Sequence, residues 1–253
     1  MKRWIAIILL LSVLLLGGCQ REDRVPDVDL VERNGALRVG VTECPPFAVF
    51  DGGQWTGFDV ELTGKIAQIL GVRAEYVPLS WQDRWMALND GTVDCVVGCV
   101  TATDDLATRV DLSQTYLASA PVLVTTAEYE GEMEFVGITV AVETDSACAM
   151  AVAACIPQAS VVDAAHQTEA LELVTAGEAQ SAVVDRIVAS NIMSGDLLIH
   201  TGLDLGVHEL AVATRLNSDL TEAINKALMT LQTQGELNRL AELYQIGDCL
   251  VVG

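Results

Sequence analysis

Apolar positions recur at helical spacing through Trp81, Trp85 and Leu88, then close up into a β-branched run from Val93 to Val100. The first pattern predicts a short helix capped by Ser80, with Asp83 at its third position and Asn89-Asp90-Gly91 as its stop. The second is too short to span a bilayer and predicts a buried strand. Thr101, Thr103, Asp104 and Asp105 then open a helical turn at the strand's carboxyl end. In an open α/β sheet the hydroxyls and free N–H groups at that junction face a ligand crevice, although an ordinary strand-loop-helix connection has the same pattern.

The same alternation extends in both directions. Upstream, Leu37 to Val41 reads as a strand broken by Cys44-Pro45-Pro46-Phe47, because prolines cannot donate to a ladder. Ala48 to Phe50 and Trp55 flank Asp51-Gly52-Gly53 as a hairpin. A helix from Gly57 carries Val60, Leu62, Ile66, Ile69 and Leu70 near one face and stops at Gly71, before a strand over Arg73 to Leu79. Downstream, strands at Pro121 to Thr126, Ile138 to Val142, Val161-Val162 and Ala182 to Val184 alternate with helices from about Ser146 and near Thr168 to Thr175. Leu210 to Ala213 reads as a strand returning to the first half. Asn217 to Gln232 and Glu236 to Tyr244 are amphipathic helices, the first capped by Asn217 or Ser218. The pattern is α/β throughout.

At the start, Lys2 and Arg3 precede an apolar run from Trp4 to Leu16, shorter than a spanning helix needs, which reads as a signal peptide over residues 1–18. Leu16-Gly17-Gly18-Cys19 resembles the lipobox of bacterial lipoproteins. That resemblance implies cleavage before Cys19, acylation of its thiol with a palmitate-type chain, and a membrane anchor. Residues 19–31, polar and containing Pro26, read as a tether. The chain has 253 residues, 51% of them apolar, enough for one or two cores. A formal charge of −21 has the wrong sign for nucleic-acid binding.

After Cys19, Cys44, Cys95, Cys99, Cys148, Cys155 and Cys249 remain, which in an exported protein permits up to three disulfides with the pairing open. Cys95 and Cys99 on one strand would be about 13 Å apart, out of bridging reach. Cys148 and Cys155 on one helix would lie about 10 Å apart, so they pair only if the helix breaks before Ile156-Pro157. No CxxC or closely spaced histidines suggest a metal, and no phosphate loop, Ser-His-Asp set or cofactor motif is present.

In chain order, "LRVGV", "PPF", "TGFDVEL", "EYVPLSWQDRWMAL", "NDGTVD", "VDLSQTYLAS", "GITVAVETDSA", "GEAQSAVVD" and "NSDLTEAINKALMTLQTQGELNRLAELY" resemble the type 3 extracellular solute-binding proteins, the periplasmic amino-acid-binding proteins of ABC importers. The resemblance covers nearly all of the chain after the tether. It implies a two-lobe, periplasmic-binding-protein-like type II α/β fold with two hinge-crossing strands. Lobe 1 would be residues 32–122 plus 212–253, and lobe 2 residues 123–211. It further implies a monomer outside the cytoplasm, in the periplasm or at the cell surface, that closes on a small polar solute, uses no cofactor and delivers the solute to an ABC permease. Cyclohexadienyl dehydratases look similar and share the lobes. Their chemistry needs a positioned general acid, for which Glu43 and Glu143 are the cleft-edge glutamates. A ligand-sensing module is a third reading, without the attached transmembrane or kinase segment such a role requires.

The resemblance also implies site residues. Asp185, ending "SAVVD", would take the ligand's amino group, or only cap the helix that follows. Ser146 at a helix N-terminus and Thr101 with its neighbouring backbone would hold a carboxylate, with Asp145 a possible cap beside Ser146. Arg84 matches a position where relatives specific for acidic side chains carry arginine. Cys44, Phe47, Trp81 and Cys99 would line the pocket, Trp81 being equally readable as core, with Glu43 at the rim. One position departs from the family: Leu106 stands where relatives carry a carboxylate-forking arginine, and leucine cannot make that bidentate contact. Arg109, one turn on, could substitute or form a surface ion pair with Asp111 or Asp105.

Overall fold

The computed structural model describes residues 25–126, 137–193, 195–200 and 202–251; the expected signal peptide and the expected lipidation site Cys19 lie outside these described residues. Lobe 1 opens with α1 (Asp27–Asn34), β1 (Ala36–Val41), the hairpin β2 (Val49–Asp51) and β3 (Gln54–Thr56), α2 (Phe58–Ile69) and β4 (Arg73–Pro78). It continues with α3 (Arg84–Asn89), β5 (Cys95–Val97) and β6 (Val110–Leu112). The chain crosses as β7 (Leu117–Ser119) into lobe 2, which comprises β8 (Pro121–Thr125), β9 (Thr139–Glu143), α4 (Ala147–Cys155), β10 (Ser160–Ala164), α5 (Gln167–Thr175), β11 (Ser181–Asp185), α6 (Arg186–Ile192) and β12 (Leu198–His200). It returns as β13 (His208–Leu210), and β14 (Ala213–Arg215), α7 (Leu220–Thr233) and α8 (Glu236–Leu243) complete lobe 1.

Each lobe is a five-stranded sheet, ordered β4-β1-β5-β14-β6 and β10-β9-β11-β8-β12. In lobe 1, β4, β1 and β5 are parallel, with Val39 opposite both Tyr76 and Cys95, and β14 runs against β5 and β6. In lobe 2, β10, β9 and β11 are parallel and β8 runs against β11 and β12. The two lobes are joined by an antiparallel ribbon of β7 and β13, with His208 opposite Ser119 and Leu210 opposite Leu117. The crossing strands therefore lie just before Pro121 and just before Ala211, a few residues upstream of the apolar runs predicted to cross. The first run is instead β8 inside the lobe 2 sheet, and the second runs from the last residue of β13 to the first of β14; both are buried, which is why they are the more apolar.

The lobe 1 core is built on α2, where Phe58, Leu62 and Ile66 are fully buried against Leu37, Val39 and Leu228. Burying each such side chain is worth roughly 1.5–3 kcal/mol. Ile69, predicted on that face, is exposed at the last turn. Among the described residues, no helix is long and apolar enough to cross a membrane.

Two sequence expectations change. Residues 27–31, expected to be tether, fold as part of α1: Val31 is buried, Arg215 and Ser218 grip the Asp27 carboxylate, and the Asp219 carboxylate accepts from the Asp27 and Val28 N–H groups. Residues 93–100 are not one strand, because β5 stops at Val97. Gly98 (φ +94°) and Cys99 (φ +59°) turn the chain, and a Cβ on Gly98 would sit 3.1 Å from the Thr42 carbonyl oxygen. Glycine is favoured there by both conformation and space. The turn delivers Cys99 to Cys44, and the two form a disulfide with Cα atoms 6.7 Å apart; Cys95, Cys148, Cys155 and Cys249 are free.

Candidate functional site

A cleft of about 380 Å³ opens between the lobes. Lobe 1 supplies Trp81, Arg84 and Trp85 from α3 and the turn before it, together with Cys99, Thr101 and Leu106 from the loop after β5. Lobe 2 supplies Asp145, Ser146, Ala147 and Met150 from the start of α4. Deeper in, the cleft narrows past Trp81, Thr101 and Ser146 to a well of about 10 Å³ lined by Glu143, Gln167, Asp185 and His208. That is room for about one water-sized group.

Local sequence explains the placement. Ser80 and Asp83 do pair as predicted, Ser80 Oγ accepting from the Asp83 N–H at 3.1 Å, but Trp81 to Asp83 form a turn and the helix begins only at Arg84. Ser146 caps α4, its hydroxyl accepting from the Ala149 N–H at 3.1 Å and donating to the Glu143 carbonyl at 2.6 Å. Asp145 beside it takes φ +55°, a conformation aspartate tolerates better than most residues.

Arg84 is buried, and its guanidinium carbon lies 3.4 Å from the Trp81 ring centroid and 4.4 Å from that of Trp85. Desolvation pulls its pKa down to about 10, opposed by Glu143 and Asp145 across the gap. Glu143 is likewise buried, and desolvation pushes its carboxyl up to about 7, opposed by Arg84 and by Gln167. Among the described residues neither makes an ion pair within 4.0 Å. Arg84 Nε, Glu143 Oε2, Trp81 Nε1 and His208 Nδ1 are all buried without a hydrogen-bond partner. Of the described residues only Arg215 Nε, away from the cleft, shares that condition. An unpaired buried polar group costs about 1–3 kcal/mol, so four on one cleft mark where a polar ligand would be received.

Asp185 lines the well but is already engaged. Its Oδ1 accepts from Ser119 Oγ at 2.8 Å and from the Ile187 and Val188 N–H groups at the start of α6, and its Oδ2 lies 2.6 Å from His208 Nε2. The helix-cap alternative for this residue is thus realised. Thr101, Cys99, Trp81, Arg84 and Ser146 all meet in the cleft. Three expected residues do not. Phe47 is fully buried in the lobe 1 core, Glu43 is exposed and away from the cleft walls, and Cys44 sits behind Cys99 as its disulfide partner. Leu106 lines the cleft, and Arg109 also borders it while pairing with Asp105 at 2.7 Å in an exposed i,i+4 contact, as anticipated. Gln167 and His208 were not legible as site residues. His208 sits two positions ahead of the Leu210 run that was read as the returning strand, and only strand pairing turns it towards Asp185.

The model of the family described as bacterial extracellular solute-binding proteins, family 3, matches residues 37–247. Among curated proteins, the chain is 28% identical over 221 residues to the L-cystine-binding protein TcyJ of Escherichia coli (strain K12), covering 84% of this chain and 83% of that one. It is 26% identical over 211 residues to the arginine-binding extracellular protein ArtP of Bacillus subtilis (strain 168), covering 80% and 83%. Among solved structures, the ancestral amino-acid-binding protein AncCDT-1, a precursor of cyclohexadienyl dehydratase, superposes with a TM-score of 0.80 at 26% identity, covering 87% of this chain and 99% of that one. The arginine-bound form of a truncated ArgBP from T. maritima gives 0.74 at 28% identity, covering 80% and 99%.

Proposed function

We propose that this chain, which belongs to the bacterial extracellular solute-binding proteins of family 3, captures an α-amino acid or a related amine-carboxylate between its lobes and hands it to an ABC permease. The observation that carries the reading is the convergence of four unpartnered buried polar atoms on the interlobe cleft. Arg84, its guanidinium over the rings of Trp81 and Trp85, would receive the solute's anionic group, with Thr101 and the α4 N-terminus at Ser146 completing the contact. This set stands in for the arginine that Leu106 replaces. The lobes would open and close about the β7–β13 ribbon, and solute would favour the closed form because only there do both lobes touch it. The "LLGGC" segment supports cleavage and acylation at Cys19, which would tether the chain to the outer side of a membrane.

Isothermal titration calorimetry of the purified protein against amino acids, dicarboxylates and amines tests the reading. Micromolar binding of an amino acid that is lost in Arg84→Ala is the expected result. Unchanged affinity in that variant would sink the assignment of the anionic contact.

A second reading, a dehydratase on the same two lobes, is favoured by one observation: Glu143 is a buried cleft carboxyl pushed up to about 7, the condition a general acid needs. The curated relatives named above are binding proteins, which supports the first reading. Turnover of prephenate or arogenate by the purified protein would reverse the preference.

A further inference from the structure

We infer that Asp59, which touches no solute, is a positioning residue for solute binding: from the lobe 1 core its carboxylate pins the turn that carries the cleft wall to the start of hinge strand β7. The inference goes beyond the proposed function and rests on it for the solute. Asp59 lies in the first turn of α2, yet its side chain makes no capping bond to that helix. Its two oxygens reach away from α2 instead. Oδ2 accepts from the Gly98 N–H at 2.9 Å, and Oδ1 accepts from Tyr116 Oη at 2.8 Å. Gly98 opens the positive-φ turn that leads through Cys99 to Thr101 on the cleft, and Tyr116 immediately precedes β7. The loop beyond Gly98 lies along the other crossing strand: the Ala102 N–H donates to the Glu209 carbonyl at 2.8 Å, the Ala211 N–H donates to the Val100 carbonyl at 3.0 Å, and Thr101 bridges to Leu210. The Tyr116 N–H also donates to the Leu210 carbonyl at 3.0 Å. One buried carboxylate therefore fixes how the wall bearing Thr101 sits on both strands about which the lobes would close.

The grip depends on the proton. An ionised Asp59 accepts both bonds, and charge-assisted hydrogen bonds are roughly twice as strong as neutral ones. A protonated Asp59 must itself donate. A proton on Oδ2 would oppose the Gly98 N–H, so it goes to Tyr116 Oη and the buried Tyr116 hydroxyl gives up its own donation to Asp59. The pin is tight when charged and slack when neutral, and burial, which pushes this carboxyl up to about 7, leaves both forms populated near neutrality. Tyr116 is the titratable side chain that faces it. On the other elements packed against α2, Arg38 of β1 pairs with Asp94, Tyr76 of β4 donates to the Val60 carbonyl, Lys226 of α7 pairs with Glu222, Glu236 of α8 pairs with Lys65, and Tyr244 donates to Glu61. Burial keeps the Cys95 thiol of β5 neutral. Stability and affinity then move in opposite directions as pH rises, because the buried charge that costs folding free energy is the one that tightens the wall.

Calorimetry of the wild type, Asp59→Asn and Tyr116→Phe between pH 5.5 and 8, with urea unfolding of each at the same pH, tests this; the probe is whichever standard L-amino acid binds the wild type tightest. Asp59→Asn copies the protonated form without loss of volume, its oxygen accepting from Gly98 and its amide donating to Tyr116 Oη. The ratio of wild-type to Asp59→Asn affinity cancels the titration of cleft groups such as Glu143, and it should rise from near one at pH 5.5 to about fivefold at pH 8. At pH 8 the Asn variant should at the same time be the more stable of the two, an opposition that a merely structural role does not produce. The Tyr116 hydroxyl holds the Asp59 carboxyl down, so Tyr116→Phe should move the midpoint of the rise to higher pH. A ratio that stays constant or falls with pH, an Asn variant both weaker in binding and less stable at pH 8, or a midpoint that Tyr116→Phe leaves in place overturns this inference and leaves the proposed function standing. A wild type that binds no amino acid overturns both.

Discussion

His208 Nε2 lies 2.6 Å from Asp185 Oδ2, so a residue of the ribbon that joins the lobes is tied to the residue that ends the central strand of lobe 2 and caps the next helix. Both side chains are nearly enclosed, which makes the contact a fixed part of the lobe 2 hinge end rather than a surface pair. The Asp185 carboxylate gathers four donors there, and removing it strands all of them at once. Asp185→Ala is expected to cost about 3 kcal/mol or more, the range for breaking a buried pair together with a helix cap, measured by urea unfolding. A loss below about 1 kcal/mol would show that the network is not structural.

Arg84 makes the opposite prediction. Its Nε has no partner, burial opposes its charge, and stacking on Trp81 and Trp85 is its main compensation. Arg84→Met keeps the stack and removes the unpaired charge, so thermal unfolding should stay within about 1 kcal/mol of wild type or move up. Solute affinity should fall at least 100-fold in the same variant. A stability loss above about 2 kcal/mol would mean that the guanidinium is structural.

The Cys44–Cys99 disulfide closes a loop 55 residues in separation and fixes the wall on which Thr101 stands. Loop-closure entropy puts its contribution at about 4 kcal/mol. Cys44→Ser with Cys99→Ser should lower the urea midpoint accordingly and weaken solute binding, because Cys99 borders both compartments of the cleft. Equal midpoints with and without reductant in the wild type would contradict this.

Asp59 is fully buried, accepts from Tyr116 Oη at 2.8 Å and from the Gly98 N–H at 2.9 Å, and desolvation pushes its carboxyl up to about 7. Its unfolded value is about 4, so between those values the folded chain binds the extra proton. The stability this group contributes is complete below about pH 4 and lost as pH rises through 7. Wild type should be about 1–3 kcal/mol less stable at pH 8 than at pH 5 on this account. Asp59→Asn, which cannot ionise, should flatten that slope, as read from urea curves at the two pH values. Parallel slopes for the two proteins would refute it.

The sequence alone determined the α/β alternation, the order of nearly every strand and helix, and the family. The alternation and the order follow from spacing, since apolar residues at period two, at period 3.6 or in unbroken runs report which face of each element is buried, and the family from the resemblance carried by ordered motifs such as "TGFDVEL" and "SAVVD". Thr101 and Ser146 were legible as site candidates partly from local pattern, since each sits at a strand-to-helix junction, whereas Arg84 and Trp81 were legible only through the family resemblance. Tertiary structure alone decided what those boundaries meet. Phe47 read as pocket lining through the family resemblance, yet the turn that carries it packs it into the lobe 1 core. The Cys44–Cys99 bond needed the positive-φ turn at Gly98, which the even run of β-branched residues concealed. Asp185 carried a familiar motif, but only the strand pairing of β7 with β13 brings His208 and Ser119 onto its carboxylate. Hydrogen-bond partners separated by many residues leave no periodic trace in the chain, so which groups meet on that carboxylate is fixed by packing.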